Sequence, residues 1–319
     1  MRALLSLSAA ALIATAVTAQ AQTMGMGTSN PGSLFHSSGT AIAKVANEKG
    51  DVAMTVQPFA SPNIFIPAIN AGELAFGVAN IWEIEKAVKG EAHFEGRANP
   101  NVHAVAIMYP LRVAIFVRND SDIKTIADLK GKRLTTGFTS QRTIPPMLLA
   151  GLQTAGIDFD DVEQVNVPNV VAGADAFIQG KADAFFFALG AAKVREANAA
   201  VGIRALTIED TPANMATIKK LWPVGYLRSE KPGKPNPGVV DPINAITYDA
   251  LVIAGADTPD DAVYKVAKAM HDNKADMAAT FGVFNLFNPK RMNTKLDGVE
   301  WHAGAVRFYQ ETGMRPPEG

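Results

Sequence analysis

The feature that most constrains this chain is an order of elements that occurs twice. The first copy opens with the small, polar loop Gly27-Thr28-Ser29-Asn30-Pro31-Gly32-Ser33, which runs into a helix. A strand follows near Val52, a second helix ends at Gly72, and a strand at 73–79 leads to Asn80. The second copy opens with Gly137-Phe138-Thr139-Ser140-Gln141-Arg142-Thr143 and again enters a helix. A strand follows near Val165, a helix ends at Gly180, and a strand at 182–187 leads to Ala188-Leu189-Gly190. Gly72 and Gly180 suit the left-handed position that ends a helix before a strand. A repeat of this kind predicts two similar βα lobes rather than one continuous sheet. Alternation of strands and helices gives the fold class as α/β, with largely parallel strands covered by helices on both faces.

Apolar strands are expected at 52–56, 74–79, 102–108, 113–117, 184–187 and 250–253, and helices at 39–47, 144–154 and 172–179. The stretch Lys231-Pro232-Gly233-Lys234-Pro235-Asn236-Pro237-Gly238 suits neither helix nor central strand and reads as a surface excursion. The chain is expected to leave the first lobe near Leu111 and to return near Asn244. Lobe 1 then comprises 22–110 with 244–319, lobe 2 comprises 111–243, and two strand crossings act as hinges between them.

Residues 1–21 stand outside this scheme. Arg2, the apolar run 3–17 and the small-x-small spacing of Ala19-Gln20-Ala21 form a secretory signal peptide, with cleavage expected after Ala21. The run is shorter than the roughly 20 apolar residues of a bilayer span, so the chain is expected in the periplasm and not embedded in the membrane. A net charge of −1 supplies no basic field for nucleic acid. The absence of cysteine excludes disulfides, thiolate ligands and a Cys nucleophile. The five histidines have no metal-site spacing, and neither a nucleophile elbow nor a P-loop is present. Gly25-Met26-Gly27 is followed by a third glycine only at Gly32, outside dinucleotide-loop spacing. No catalytic residue, metal or cofactor is therefore expected, and the chain reads as a binder rather than an enzyme.

Loops that run into helix N-termini present unpaired N–H groups, which together with the helix dipole favour an anion. Ligands of open α/β sheets sit outside the carboxyl ends of the strands. The two loops are thus expected to face each other across a cleft, with Ser29, Ser33, Phe35, His36, Ser140, Arg142 and Thr143 as candidate ligand contacts. Asn80 and the turn carrying Leu189 end the repeated strands and should lie nearby. Arg142 can grip a carboxylate with two parallel hydrogen bonds; otherwise it is solvated or bridges the lobes. Ser140 and Thr143 can contact ligand, cap their helix, or both. His36 either donates to a carboxylate or packs in its loop, and Phe35 either stacks on the solute or joins the core. Tyr109 reaches the solute or pins the hinge, and Arg112 pairs with the solute or with a lobe carboxylate.

Several stretches together resemble a known family. They are the first loop, Val78-Ala79-Asn80 after the Ala71-Gly72-Glu73 turn, Ser121-Asp122-Ile123-Lys124-Thr125-Ile126-Ala127-Asp128-Leu129-Lys130-Gly131-Lys132, Gly180-Lys181-Ala182-Asp183-Ala184-Phe185-Phe186, and His302-Ala303-Gly304-Ala305-Val306-Arg307-Phe308-Tyr309. The combination resembles the TAXI family of TRAP-transporter solute receptors over essentially the whole mature chain. The resemblance implies a periplasmic-binding-protein type II fold, capture of a small organic carboxylate such as glutamate or its oxo-acid analogue, and delivery to a sodium-driven TRAP membrane permease. The chain departs from the family pattern where paired tyrosines are usual, with Phe35 and His36, and where Ser and Asn are usual, with Pro62 and Phe65. Thr139-Ser140-Gln141-Arg142-Thr143 replaces the usual Gly-Ser-Gly-Thr. These changes predict a more apolar solute than glutamate. The expected function is a transport receptor that closes on its solute; a sensing subunit feeding a kinase is the alternative.

Overall fold

The computed structural model describes residues 23–314; the expected signal peptide and the expected cleavage after Ala21 lie outside the described residues. Strand β1 (Met24–Thr28) is followed by α1 (Leu34–Lys49), β2 (Met54–Pro58), α2 (Pro62–Asn70), β3 (Phe76–Asn80) and α3 (Ile81–Lys89). The long strand β4 (Val102–Arg118) leads to the second series: β5 (Arg133–Gly137), α4 (Ile144–Gln153), β6 (Glu163–Val167), α5 (Val170–Ile178) and β7 (Ala184–Ala188). Helix α6 (Ala192–Val201), β8 (Ile203–Ala205), α7 (Pro212–Leu221), β9 (Tyr226–Glu230) and β10 (Ile243–Gly255) return the chain. Helices α8 (Asp260–Asp272), α9 (Lys274–Thr280) and α10 (Ala303–Glu311) complete it.

The strand order is β2-β1-β3-β10-β4-β7-β5-β6. Strand β1 pairs in parallel with β2 and β3, and β5 pairs in parallel with β6 and β7. Counted inward from each edge, β2-β1-β3 and β6-β5-β7 are the same arrangement, so the repeat in sequence is a repeat in space. The expectation of two lobes without a common sheet is corrected. Hydrogen bonding is continuous across both repeats, because β4 (17 residues) and β10 (13 residues) are long enough to serve both. Strand β10 pairs with β9 over 243–247 and with β3 over 250–254, while β4 pairs with β7 over 113–117. These two antiparallel strands are the expected crossings.

A break in β4 between 108 and 113 was expected and is absent. Pro110 stands within the strand opposite Asp249 of β10, and the neighbour on the other side, β7, starts only at Val113. The missing N–H of Pro110 therefore leaves no ladder bond unmade on that side. Helix α1 starts at Leu34 rather than near Gly39, because the Ser33 side chain caps it by accepting the His36 N–H at 3.1 Å. Gly39 instead lets α1 lie directly on β1: a Cβ there would come within 2.3 Å of Thr28 Cγ2. Gly72 and Gly180 take the expected left-handed conformation, with φ of +74° and +73°.

The core beneath the second repeat is aromatic. Phe185 packs against Phe116 and Phe177 with ring centroids 5.2 and 4.6 Å apart. Each such ring contributes about 1.5–3 kcal/mol on burial. The stretch 231–238, expected as a surface excursion, turns inward at Asn236. Its Oδ1 accepts from Arg112 Nη1 at 3.0 Å, and its Nδ2 donates to Glu230 Oε2 at 3.1 Å. Arg112 settles between its two expected partners on the lobe carboxylate, Glu230, at 2.9 Å. Both are buried, so removing Glu230 strands the Arg112 charge in the interior, while Glu230 also meets Arg228 Nε at 3.0 Å. Among the described residues, no helix is long and apolar enough to cross a membrane.

Candidate functional site

The β1–α1 and β5–α4 loops meet across a narrow cavity of about 70 Å³ that opens to solvent. The carboxyl ends of β3 and β7 reach the same space at Asn80 and Ala188, and the crossing strands contribute Leu111, Val113 and Tyr248. Both repeats therefore aim their strand ends and helix starts at one volume, as in other open α/β sheets.

Most of the wall is apolar: Pro62 and Phe35 on the first repeat, Ile144, Met147, Phe186 and Phe187 on the second. The polar groups are few. Ser29 is buried, and its hydroxyl has no hydrogen-bond partner among the described residues. The Asn80 side chain caps α3, accepting the Glu83 N–H at 2.9 Å and donating to Glu83 Oε2 at 3.1 Å. Gln141 accepts the Val170 N–H at 2.8 Å, which ties the second loop to the start of α5. Burial raises the Tyr248 hydroxyl well above its ordinary pKa, with Glu83 adding to the effect, so it stays a neutral donor.

Backbone donors complete the site. The N–H groups of Leu34 and Phe35 at the start of α1 have no acceptor among the described residues, and neither do those of Arg142 and Thr143 before α4. Thr143 makes no side-chain cap, so its hydroxyl remains available at the cavity. The two repeats also touch: Lys193 N–H in α6 donates to the Gly32 carbonyl at 3.1 Å.

Of the residues expected at the cleft, Ser29, Ser33, Phe35, Asn80 and Thr143 line this cavity together. His36, Tyr109, Ser140, Arg142 and Leu189 do not. The His36 ring lies 3.2 Å from Thr28 Oγ1, and burial lowers its pKa. Tyr109 is buried behind the crossing strands, bonded to Ser38 and lining a separate space with Asp249 and Arg291. Leu189 is fully buried in the core. Phe65, expected to shape the pocket, packs with Phe59 at 5.6 Å and fills the gap left by Gly27 and Gly77.

Ser140 and Arg142 face an adjacent outer cavity instead, with Thr139, Asn63, His93 and Arg97. Consecutive residues divide between the two spaces: Pro62 and Asn63, Gln141 and Arg142. The outer cavity carries two guanidinium groups, one from each repeat's side of the cleft, whereas no lysine or arginine lines the inner one. Glu83, Ser61, Gln141, Tyr248 and Arg97 were not among the expected site residues. Glu83 carried a usable signal, since Asn80-Ile81-Trp82-Glu83 has the spacing of a helix-start capping pair.

The NMT1-like family model matches residues 26–313. Among solved structures, a periplasmic transporter is similar at 14% identity, over 91% of this chain and 92% of that one, with a TM-score of 0.56. PhnD1 from Prochlorococcus marinus, solved with methylphosphonate, is similar at 10% identity, over 92% of this chain and 100% of that one, at 0.52. The aliphatic sulphonate binding protein SsuA from Escherichia coli has 17% identity over 92% and 88%, at 0.46. At these identities the likeness is one of fold: the expected type II periplasmic-binding-protein architecture is present.

Proposed function

The chain belongs to the NMT1-like family, and from that premise we propose that it is a periplasmic solute receptor, not an enzyme. It holds a small organic carboxylate between lobe 1 (22–110 with 244–319) and lobe 2 (111–243), and hands it to a membrane permease of the TRAP type. The observation that carries the reading is the inner cavity itself. Two copies of one loop–helix start converge on it with the free backbone N–H groups of Leu34, Phe35 and Thr143, and its walls are otherwise mostly apolar. Such groups favour an anion, and the walls suit a solute with an apolar body. Arg97 and Arg142 at the outer cavity extend the same preference for negative charge to the cleft mouth. Closure about β4 and β10 would shift toward the bound state when solute bridges the two repeats. No specific observation favours the kinase-feeding alternative.

The resemblance to TAXI receptors supports the carboxylate and the permease partner; PhnD1, solved with methylphosphonate, shares the fold with a phosphonate ligand. A thermal-shift screen separates these. Carboxylates, methylphosphonate, alkanesulfonates, sugars and amines are each added to the purified protein. A true solute at about a hundred times its Kd adds roughly 2.7 kcal/mol to stability. The reading expects carboxylates to raise the melting temperature most; a response confined to sugars, or to phosphonates and sulfonates, would sink it.

A further inference from the structure

Glu83 is the group in the inner cavity that a simple carboxylate solute leaves unexplained. It lines the cavity, its side chain is 1% exposed, and it is held at the N-terminal turn of α3. Oε2 accepts from Asn80, while Oε1 has no hydrogen-bond donor among the described residues. The imidazole of His93 stands beside it, its Nε2 3.6 Å from Oε1 without forming a hydrogen bond. A buried carboxylate with a free oxygen is costly unless a donor reaches it.

Ionisable groups follow one another along the cleft. Glu83 stands in the inner wall, His93 joins the inner wall to the outer cavity, and Arg97 and Arg142 line that outer cavity. A dicarboxylate would place one of its charges against Glu83. A molecule with a positively charged donor at one point and a carboxylate at another matches both ends, and its apolar body matches Met147, Phe186 and Phe187 between them.

We propose that the solute is a small zwitterion with an apolar body, a neutral amino acid in build, whose ammonium group donates to Glu83 Oε1. This rests on the reading of the chain as a carboxylate receptor and narrows the solute class within it. A hydrogen bond from a charged donor to a buried carboxylate discriminates by roughly tenfold to a hundredfold against an analogue that lacks it.

Titration calorimetry of the purified protein tests this with matched pairs: L-leucine against isocaproate, L-phenylalanine against hydrocinnamate, and glutarate as the dicarboxylate. The amino acids are expected to bind at least about tenfold tighter than their des-amino partners, with glutarate weakest. Glu83→Gln is expected to bring each pair to within about threefold. Equal or tighter binding of the des-amino acids overturns the amine assignment while leaving the carboxylate reading intact. So does a preference that survives Glu83→Gln unchanged. If no acid of either kind binds, the carboxylate reading itself falls and the assignment with it. Should Glu83→Gln fail to fold, the ratio within each pair on the unaltered protein still decides.

Discussion

The two repeats share their topology but differ in how their helix starts are finished. In the first, Ser33 caps α1 and Asn80 caps α3, each with a side-chain oxygen that accepts a backbone N–H. In the second, the matching positions are Thr143 before α4 and Ala191 before α6, and neither makes a side-chain cap. The polar side chain of the second loop, Gln141, is committed to Val170 N–H instead. At these helices the first repeat uses side-chain caps and the second does not, whereas the middle helices reverse the pattern: Asn169 caps α5 by accepting the Ala172 N–H, and Ser61 makes no side-chain cap on α2. Gene duplication is not needed to draw the physical lesson: identical backbone paths can present different chemistry because capping and ligand contact compete for the same few groups.

Substitutions at matched positions test whether the two repeats differ in this way. The largest effect is expected at Asn80, where Asn80→Ala removes both the α3 cap and the donor to buried Glu83. A loss of about 2–3 kcal/mol in urea denaturation is expected, and a loss below about 0.5 kcal/mol would mean that the cap is idle. The next pair sharpens the contrast directly. Ser33→Ala should cost about 1 kcal/mol, whereas Thr143→Val, which keeps the side-chain volume, should change stability by no more than about 0.5 kcal/mol. Equal losses for the two would erase that contrast.

The smallest effect concerns pH. His36 lies in the first loop, and burial holds its pKa below the usual 6.5. The unfolded chain then binds more protons at this position than the folded one, so stability rises with pH through this window and is lost as pH falls from about 6.5 toward the lowered value. Melting temperatures measured across that window should fall less steeply in His36→Gln than in the parent. Identical slopes would show that the ring titrates without consequence for the fold.

Much of the architecture was legible in the order of residues. The repeated loops and the glycines at 72 and 180 are legible because each depends on a handful of neighbouring residues, and each expected apolar run falls on a strand, though not with that strand's full length. Ser29, Ser33 and Asn80 were legible as cavity residues for the same reason: they end repeated strands or begin repeated helices. Arg142 illustrates the limit. Its loop was identified, but which way a residue in that loop points depends on the left-handed backbone at Gly137 and Phe138, with φ of +79° and +43°. Gln141 and Thr143 turn into the inner cavity, and Arg142 between them turns to the outer one.

The alternating elements, their duplication and the two loops suited to meet at one site follow from short-range periodicity and local backbone preference. Long-range packing sets the rest: one sheet runs through both repeats, Pro110 stays within a strand, and Arg112 meets Glu230 and Asn236 across more than a hundred positions of chain. It also sets Glu83, on a helix with no outward mark beyond its spacing from Asn80, in the cavity wall. Those outcomes depend on which distant surfaces are packed together, and a residue's partner at that range is set by the whole fold rather than by its neighbours in sequence.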